Sequence, residues 1–161
     1  MKLDELASAI TELAGPIERT EQLHGQLAIH VTPQRWHEVA TVLRDHPRLA
    51  FNVVTFLTAV DEEADGFEIV LSLWSARRLH RVFVKTVVPR DAARIASLSD
   101  VWRGANWCER ETWEQFGITF DGHPNLVKLL LPIEFDGFPL RKDFPLMTRE
   151  LKDFPGEKEP V

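Results

Sequence analysis

ANWCERETWEQFGITFDGHPNLVKLLLPIEFDGFPLRKDFPL, residues 105 to 146, crowds aromatics, turn dipeptides and opposed charges more densely than a plain core segment requires. Its first part has the pattern of a short helix. Asn106 is placed as N-cap, Glu109 three residues on as the reciprocal member of a capping box, and Gly117 as the left-handed residue that ends the helix. On the helical wheel Glu109 falls between Trp113 and Phe116, while Trp107, Arg110, Glu111 and Glu114 share another sector. A carboxylate set among rings has to be paired or hydrogen-bonded, because burying a lone charge is costly. The basic candidates within the stretch are Arg110, Arg141 and Lys142.

After this helix come two similar turns, Asp121-Gly122-His123-Pro124 and Asp136-Gly137-Phe138-Pro139. Asp-Gly favours a tight turn, and a proline two positions later keeps the residue before it extended. Between them, Leu126 to Ile133 is a brief apolar run broken by Pro132. Pro132, Pro139 and Pro145 alternate with Phe135, Phe138 and Phe144, so neither a helix nor a central strand is comfortable there. The expectation is an extended arm with little core of its own, whose exposed Phe and Leu side chains lie on the parent domain or on another protein.

Upstream, Leu3, Leu6, Ala7, Ile10, Leu13 and Ala14 recur at helical spacing until Gly15-Pro16 stops the pattern. Gln26 to Val31 reads as a strand. Thr32-Pro33 then opens a second helix to about Asp45, with Trp36, Val39, Ala40, Val42 and Leu43 on its apolar side. Phe51 to Val60 is β-branched and aromatic enough for a strand buried on both faces. Phe67 to Leu73 and Val82 to Val88 alternate apolar and polar residues across turns, completing a three-strand antiparallel meander. Residues 92 to 98 read as a short helix or turn, and 152 to 161 as a frayed end. The fold class is α+β: a mostly antiparallel four-stranded sheet with helices packed on one face, plus an extended C-terminal arm. Residues 1–120 form the globular domain and 121–161 the arm and tail.

Composition narrows the function. The net charge of −6 argues against a nucleic-acid binder. The basic cluster of Arg77, Arg78, His80, Arg81 and Lys85 reads as a solvated or protein-facing surface in acidic surroundings. A single cysteine, Cys108, rules out an intrachain disulfide and a cluster held by several thiolates of this chain, and reads as a buried small residue. No run approaches the roughly 18 apolar residues of a membrane span. Asp4 and Glu5 stand where a signal peptide would be apolar, so export is not expected.

No glycine-rich phosphate cradle occurs, and the six histidines show no metal-ligand spacing. His123, before a proline in a turn, is expected to orient the loop through a ring hydrogen bond. Glu109, Glu111 and Glu114 occupy different helix sectors, which favours capping and ion pairs over acid–base catalysis. Arg141, Lys142 and Asp143 are flanked by Phe138, Leu140, Phe144 and Leu146. Apolar anchors rimmed by charge are how a protein-binding strip looks.

The same residues resemble the signature of the thirty-kilodalton subunit of respiratory complex I, the proton-pumping NADH:quinone oxidoreductase. The resemblance rests on Trp107, Glu109, Arg110 and Glu111, on Phe116-Gly117-Ile118, on Gly122-His123-Pro124, and on the run Pro139, Leu140, Arg141, Lys142, Asp143, Phe144, Pro145 and Leu146. Two places depart from it. Asn125-Leu126-Val127-Lys128 stands where the family usually has Asp-Leu-Arg-Arg, and Gly137-Phe138-Pro139 where a second Gly-His-Pro is common.

The resemblance implies a non-catalytic scaffold subunit, inactive alone, on the cytoplasmic side of the cell membrane and bound to it only through the assembled complex. It implies docking on the forty-nine-kilodalton subunit that carries the quinone site, which can be fused to it or adjacent in the operon, and contact with the neighbouring cluster-bearing subunit. FMN and iron–sulfur clusters would sit in partner subunits, with none in this chain. The same motif set occurs in subunits of membrane-bound hydrogenases and formate hydrogenlyase, which is the alternative assembly. A free-standing enzyme would need a pocket lined by Glu109, His123 and Arg141.

Overall fold

The N-terminal amphipathic pattern forms α1, Leu3–Ala14, which buries Leu6, Ala9, Ile10 and Ala14. Asp4 and Glu5 occupy its first turn, where the helix dipole favours negative charge, and Glu5 accepts the Lys2 backbone N–H at 3.1 Å. The computed structural model describes residues 2–145, so Leu146 and the expected frayed end at 152–161 lie outside the described residues.

After Gly15 the chain forms a hairpin of β1, Arg19–Leu23, and β2, Gln26–His30. β1 is absent from the sequence expectation because RTEQL has no apolar alternation. Its neighbour supplies the pairing, and His24 and Gly25, at φ of 51° and 72°, make the tight reversal. A turn of 3₁₀-helix at Pro33–Arg35 leads into α2, Trp36–Asp45, which buries Trp36, Val39, Ala40 and Leu43. β3 (Val53–Asp61), β4 (Phe67–Ser75) and β5 (His80–Val88) form the expected antiparallel meander.

The sheet has five strands rather than four, in the order β1-β2-β5-β4-β3, and is antiparallel except where β2 runs parallel to β5. Residues that share a register share a face. Leu27 pairs with Val82 and Val82 with Leu73; Ile29 pairs with Val84, Val84 with Leu71 and Leu71 with Leu57. All of these are buried and form one core with α1 and α2. The opposite face carries Phe56, Phe83, Val60, Val87, Lys85 and Glu68, and Phe56, Val60 and Val87 are exposed. β3 is therefore buried on one face only, not on both. Its register shifts at Thr55, whose hydroxyl donates to the Ser72 carbonyl at 3.0 Å and lies 2.6 Å from the Ser72 hydroxyl.

The segment expected as helix or turn at 92–98 instead forms β6, Arg94–Ala96, parallel to β7, Thr119–Asp121. Between them α3, Ala105–Phe116, packs against β3, the outermost strand of the large sheet. Thr112 donates its hydroxyl to the Leu57 carbonyl at 3.3 Å, and the Trp102 indole N–H reaches the Phe51 carbonyl at 3.0 Å. The edge strand and the residue leading into it thus find partners on α3 and on the loop before it.

Phe67, the first residue of β4, is fully buried and meets the Phe116 ring edge-on, with centroids 6.2 Å apart. It is where the sheet, α3 and the following arm converge. Phe67→Ala should lower stability by about 3–5 kcal/mol, read from the denaturant midpoint, because a large cavity opens where three elements meet.

Candidate functional site

α3 starts at Ala105 with Gly104 as N-cap and no side-chain cap, so the expected Asn106–Glu109 capping box does not form. The helix does end at Gly117, in the left-handed region at φ 75°. Glu109 points inward and is fully buried. Its two oxygens accept the Leu98 backbone N–H and the Ser97 hydroxyl, each at 2.6 Å. Burial pushes its carboxyl up to about 7, against the lowering effect of those two donors.

No arginine or lysine pairs with Glu109 among the described residues, which corrects the expected clamp to Arg110, Arg141 or Lys142. The reason is position. Arg110 reaches the carbonyls of Val127 and Lys128, both at 2.9 Å, and Arg141 sits at the far end of the helix on the Phe116 carbonyl, at 2.5 Å. The charge-capable neighbour is His123, whose Nε2 lies 4.0 Å from the carboxylate, with both side chains fully buried. His123 Nε2 is 3.2 Å from the Asn106 carbonyl, and Nδ1 accepts the Asn125 N–H at 3.1 Å. That network assigns the proton to Nε2 and joins the first turn of the arm to the start of α3.

From there the chain runs along α3 from its first turn to its last without helix or strand of its own. The carboxylate of Glu114, also buried, accepts the backbone N–H of Leu129 at 2.8 Å, Leu130 at 2.9 Å and Leu131 at 3.3 Å. Lys128 folds back to the carbonyls of Pro132, Ile133 and Phe135, the last at 2.5 Å. The Leu140 N–H reaches the Gln115 carbonyl at 3.2 Å. A segment with no ladder of its own is thus satisfied partly from the helix and partly by its own Lys128.

A second anchor lies at the end of β3. Asp61 is buried and pairs with Arg90, and it also accepts the backbone N–H of Glu63 at 2.8 Å and of Lys142 at 2.9 Å. Burial alone would raise its carboxyl, but the Arg90 bond and the two backbone donors outweigh it and hold the group at about 2. Arg90 also reaches Asp143 at 3.2 Å, and the Lys142 ammonium reaches Glu63 at 3.2 Å. Arg141 lies between the Phe67 and Phe138 rings, 5.2 and 4.3 Å from their centroids.

Of the two surfaces expected to take the arm's rings, the parent domain or another protein, Phe138 and Phe144 lie on the chain itself. Phe138 is half-buried under Arg141, and Phe144 stacks on Phe135 at 6.1 Å, so these rings fasten the arm to itself and to its domain. Three aliphatic side chains of the arm face outward among exposed charged ones: Leu130 is 63%, Ile133 91% and Leu140 55% exposed. Glu111, Pro124 and Pro145 are exposed and Pro139 half-buried. Sequence reasoning missed Ser97, Asp61 and Arg90, whose signals are those of ordinary turn and strand-end residues. It treated Glu114 as a capping or ion-pairing group, although a carboxylate opposite an apolar run is a candidate acceptor for bare backbone. Among the described residues no group of three or more His, Cys, Asp and Glu converges on a metal position, and no helix is long and apolar enough to cross a membrane.

Residues 29–150 match a family model described as respiratory-chain NADH dehydrogenase, 30 Kd subunit. A protein of Roseiflexus castenholzii, named as the C subunit of an NADH-quinone oxidoreductase, is 40% identical over 134 residues, covering 82% of this chain and 77% of its own length. A protein of the same name from Chlorobium phaeobacteroides is 45% identical over 112 residues, 68% of each chain. Among solved structures, a trypsin-resistant fragment of Nqo5 superposes with TM-score 0.63 at 27% identity, over 78% of this chain and 100% of the fragment. A chain of the membrane-bound sulfane sulfur reductase, an archaeal respiratory membrane complex, gives TM-score 0.77 at 24% identity over 100% of this chain and 99% of its own, a likeness of fold alone.

The pKa of Glu109 sets a pH dependence with a definite sign. Its folded value of about 7 lies above the ordinary 4.5, so the folded state holds an extra proton between the two. Stability is greatest below that window and falls by about 3 kcal/mol as pH rises through it. Glu109→Gln should flatten this limb in urea titrations at pH 5 to 8 while keeping the Leu98 and Ser97 bonds. Asp61 contributes with the opposite sign, its stabilisation being lost as pH falls from about 4 towards 2. Glu114→Gln leaves one acceptor oxygen and turns an amide N–H towards the backbone donors. Hydrogen exchange at Leu129 to Leu131 should then quicken by about one to two orders of magnitude, at a cost of about 1–3 kcal/mol.

Proposed function

The chain belongs to the respiratory-chain NADH dehydrogenase 30 kDa subunit family, and from that membership we propose that it is a non-catalytic scaffold subunit of a proton-translocating NADH:quinone oxidoreductase. It docks through its arm on the quinone-site subunit and touches the neighbouring cluster-bearing subunit. FMN and iron–sulfur clusters belong to those partners, and this chain holds them in register for electron transfer from NADH to quinone. It lies peripherally on the cytoplasmic side of the membrane, attached through the complex, and is inactive alone. The identity of 40–45% to proteins named as NADH-quinone oxidoreductase subunits supports this assembly over a hydrogenase-type one.

The observation that carries the reading is the exposure of the aliphatic side chains Leu130, Ile133 and Leu140 on an arm whose backbone is already fixed by α3 and Asp61. Apolar side chains held open on a rigid strip favour association, because little further ordering is needed when a partner covers them. Each such anchor contributes about 1–2 kcal/mol when covered.

The test is co-purification of the full chain with the co-expressed quinone-site subunit. Replacing Leu130, Ile133 and Leu140 together by Glu should reduce capture at least about a hundredfold while leaving the chain's own thermal midpoint within about 2 °C, since all three are exposed. Undiminished capture by this variant would place docking on another face.

A further inference from the structure

Arg141 is held with unusual care for a residue that has no counter-charge. Its Nε donates to the Phe116 carbonyl at 2.5 Å, and its guanidinium plane lies between the Phe67 and Phe138 rings. Gly117 leaves the space: a Cβ there would stand 2.5 Å from an Arg141 terminal nitrogen and 2.7 Å from the Phe138 ring. Yet among the described residues the two terminal nitrogens have no hydrogen-bond acceptor, and no carboxylate lies within 4.0 Å. Asp143 and Asp61 act on Arg141 only from a distance, and burial pulls its pKa down. By contrast Arg90 is paired with Asp61 and Asp143, and Arg94 with Asp121.

The open edge of Arg141 borders a cleft of about 360 Å³ lined also by Arg90, Arg94, Ala93, Gly117 and Thr119, with Asp91 the one acid on its wall. A half-buried guanidinium is stabilised by an oxygen anion, and its terminal edge presents two parallel N–H groups that match one carboxylate. We propose that this cleft is a carboxylate-binding site, filled in the assembled complex by an acidic side chain of the subunit on which the arm docks. The inference rests on the docking reading and adds the chemistry of its partner: one Asp or Glu seated end-on against Arg141, with Arg94 at the rim. The exposed aliphatic side chains supply apolar contact, and the cleft supplies register, since a neutral or basic group there would leave the guanidinium desolvated and unpaired.

Two measurements on the full chain test this. In the first, the isolated chain is titrated with acetate at constant ionic strength against chloride, following the arginine Nε–H NMR signal that disappears in Arg141→Lys. The expected result is a saturable shift with a millimolar dissociation constant, and no difference between acetate and chloride would overturn the site. The same titration with Glu150, Asp153, Glu157 and Glu159 neutralised to amides reads the chain's own tail. A resting signal that moves only when those acids are removed would assign the cleft to the tail and overturn the partner assignment.

In the second, Thr119→Glu supplies a carboxylate from the cleft wall without touching Arg141. It should raise the thermal midpoint of the isolated chain at low salt and weaken capture of the co-expressed quinone-site subunit about tenfold or more. Capture equal to that of the unmodified chain would overturn the partner assignment. If the unmodified chain captures no quinone-site subunit, the docking reading itself fails, whereas the acetate titration still decides whether the cleft takes a carboxylate.

Discussion

Backbone N–H and C=O groups that leave water must find partners, and in the arm many of them find them on one helix, the others on Lys128, Asp61 and the arm's own turns. Residues 123–145 form no ladder, so their polar groups would stay solvated and the segment loose. α3 answers with a row of side chains one turn or so apart. Arg110 donates to two carbonyls, Glu114 accepts three N–H groups, and the carbonyls of Asn106, Gln115 and Phe116 take His123, Leu140 and Arg141. The helix acts for this irregular segment as a neighbouring strand would in a sheet. That arrangement explains why α3 buries the Glu114 carboxylate, a costly choice for any helix whose only task is packing, while Glu109 serves Ser97 and Leu98 in the same way on the segment before the helix.

The rest of the fold serves to hold α3 and Asp61 in relation to each other. The five-stranded sheet buries Phe67 at the start of β4, and Phe67 places both Arg90 and Arg141 over its ring, at 4.8 and 5.2 Å. Arg90 then closes on Asp61 at the end of β3, and Asp61 takes the Lys142 N–H. The arm is gripped along its first turn and middle by the helix and at its far end by Asp61. With its backbone so fixed, the aliphatic side chains that face outward are presented in one shape, which suits the proposed docking on a partner subunit.

Buried ionisable groups give the arrangement two opposed responses to acid. Glu109 sits among Ser97, Leu98 and His123 with no full positive charge beside it, and desolvation dominates. Asp61 sits against Arg90 and two backbone donors, and pairing dominates. Both are carboxylates in the interior; what differs is whether a permanent cation came with them.

Residue spacing along the chain was enough to set the periodic elements and the character of the arm. α1, α2 and the β3–β5 meander follow from apolar spacing, and α3 from its helical spacing and the terminating Gly117. The prolines and Asp-Gly turns exclude regular structure downstream, and the motif from Trp107 to Leu146 carried the family. These are local properties, set by residues within one or two turns of one another. The remaining features arise from packing between distant segments. β1 exists because β2 offers it an edge, and β6 because Thr119–Asp121 returns beside it. Glu109 answers Ser97 and Leu98 rather than the basic residues nearest in sequence, and Asp61 and Arg90 meet Lys142 and Asp143 across more than 50 positions of chain. Phe138 and Phe144 turn inward while Leu130 and Ile133 turn out. A side chain's partner depends on which distant segment packs beside it, and spacing along the chain carries no term for that.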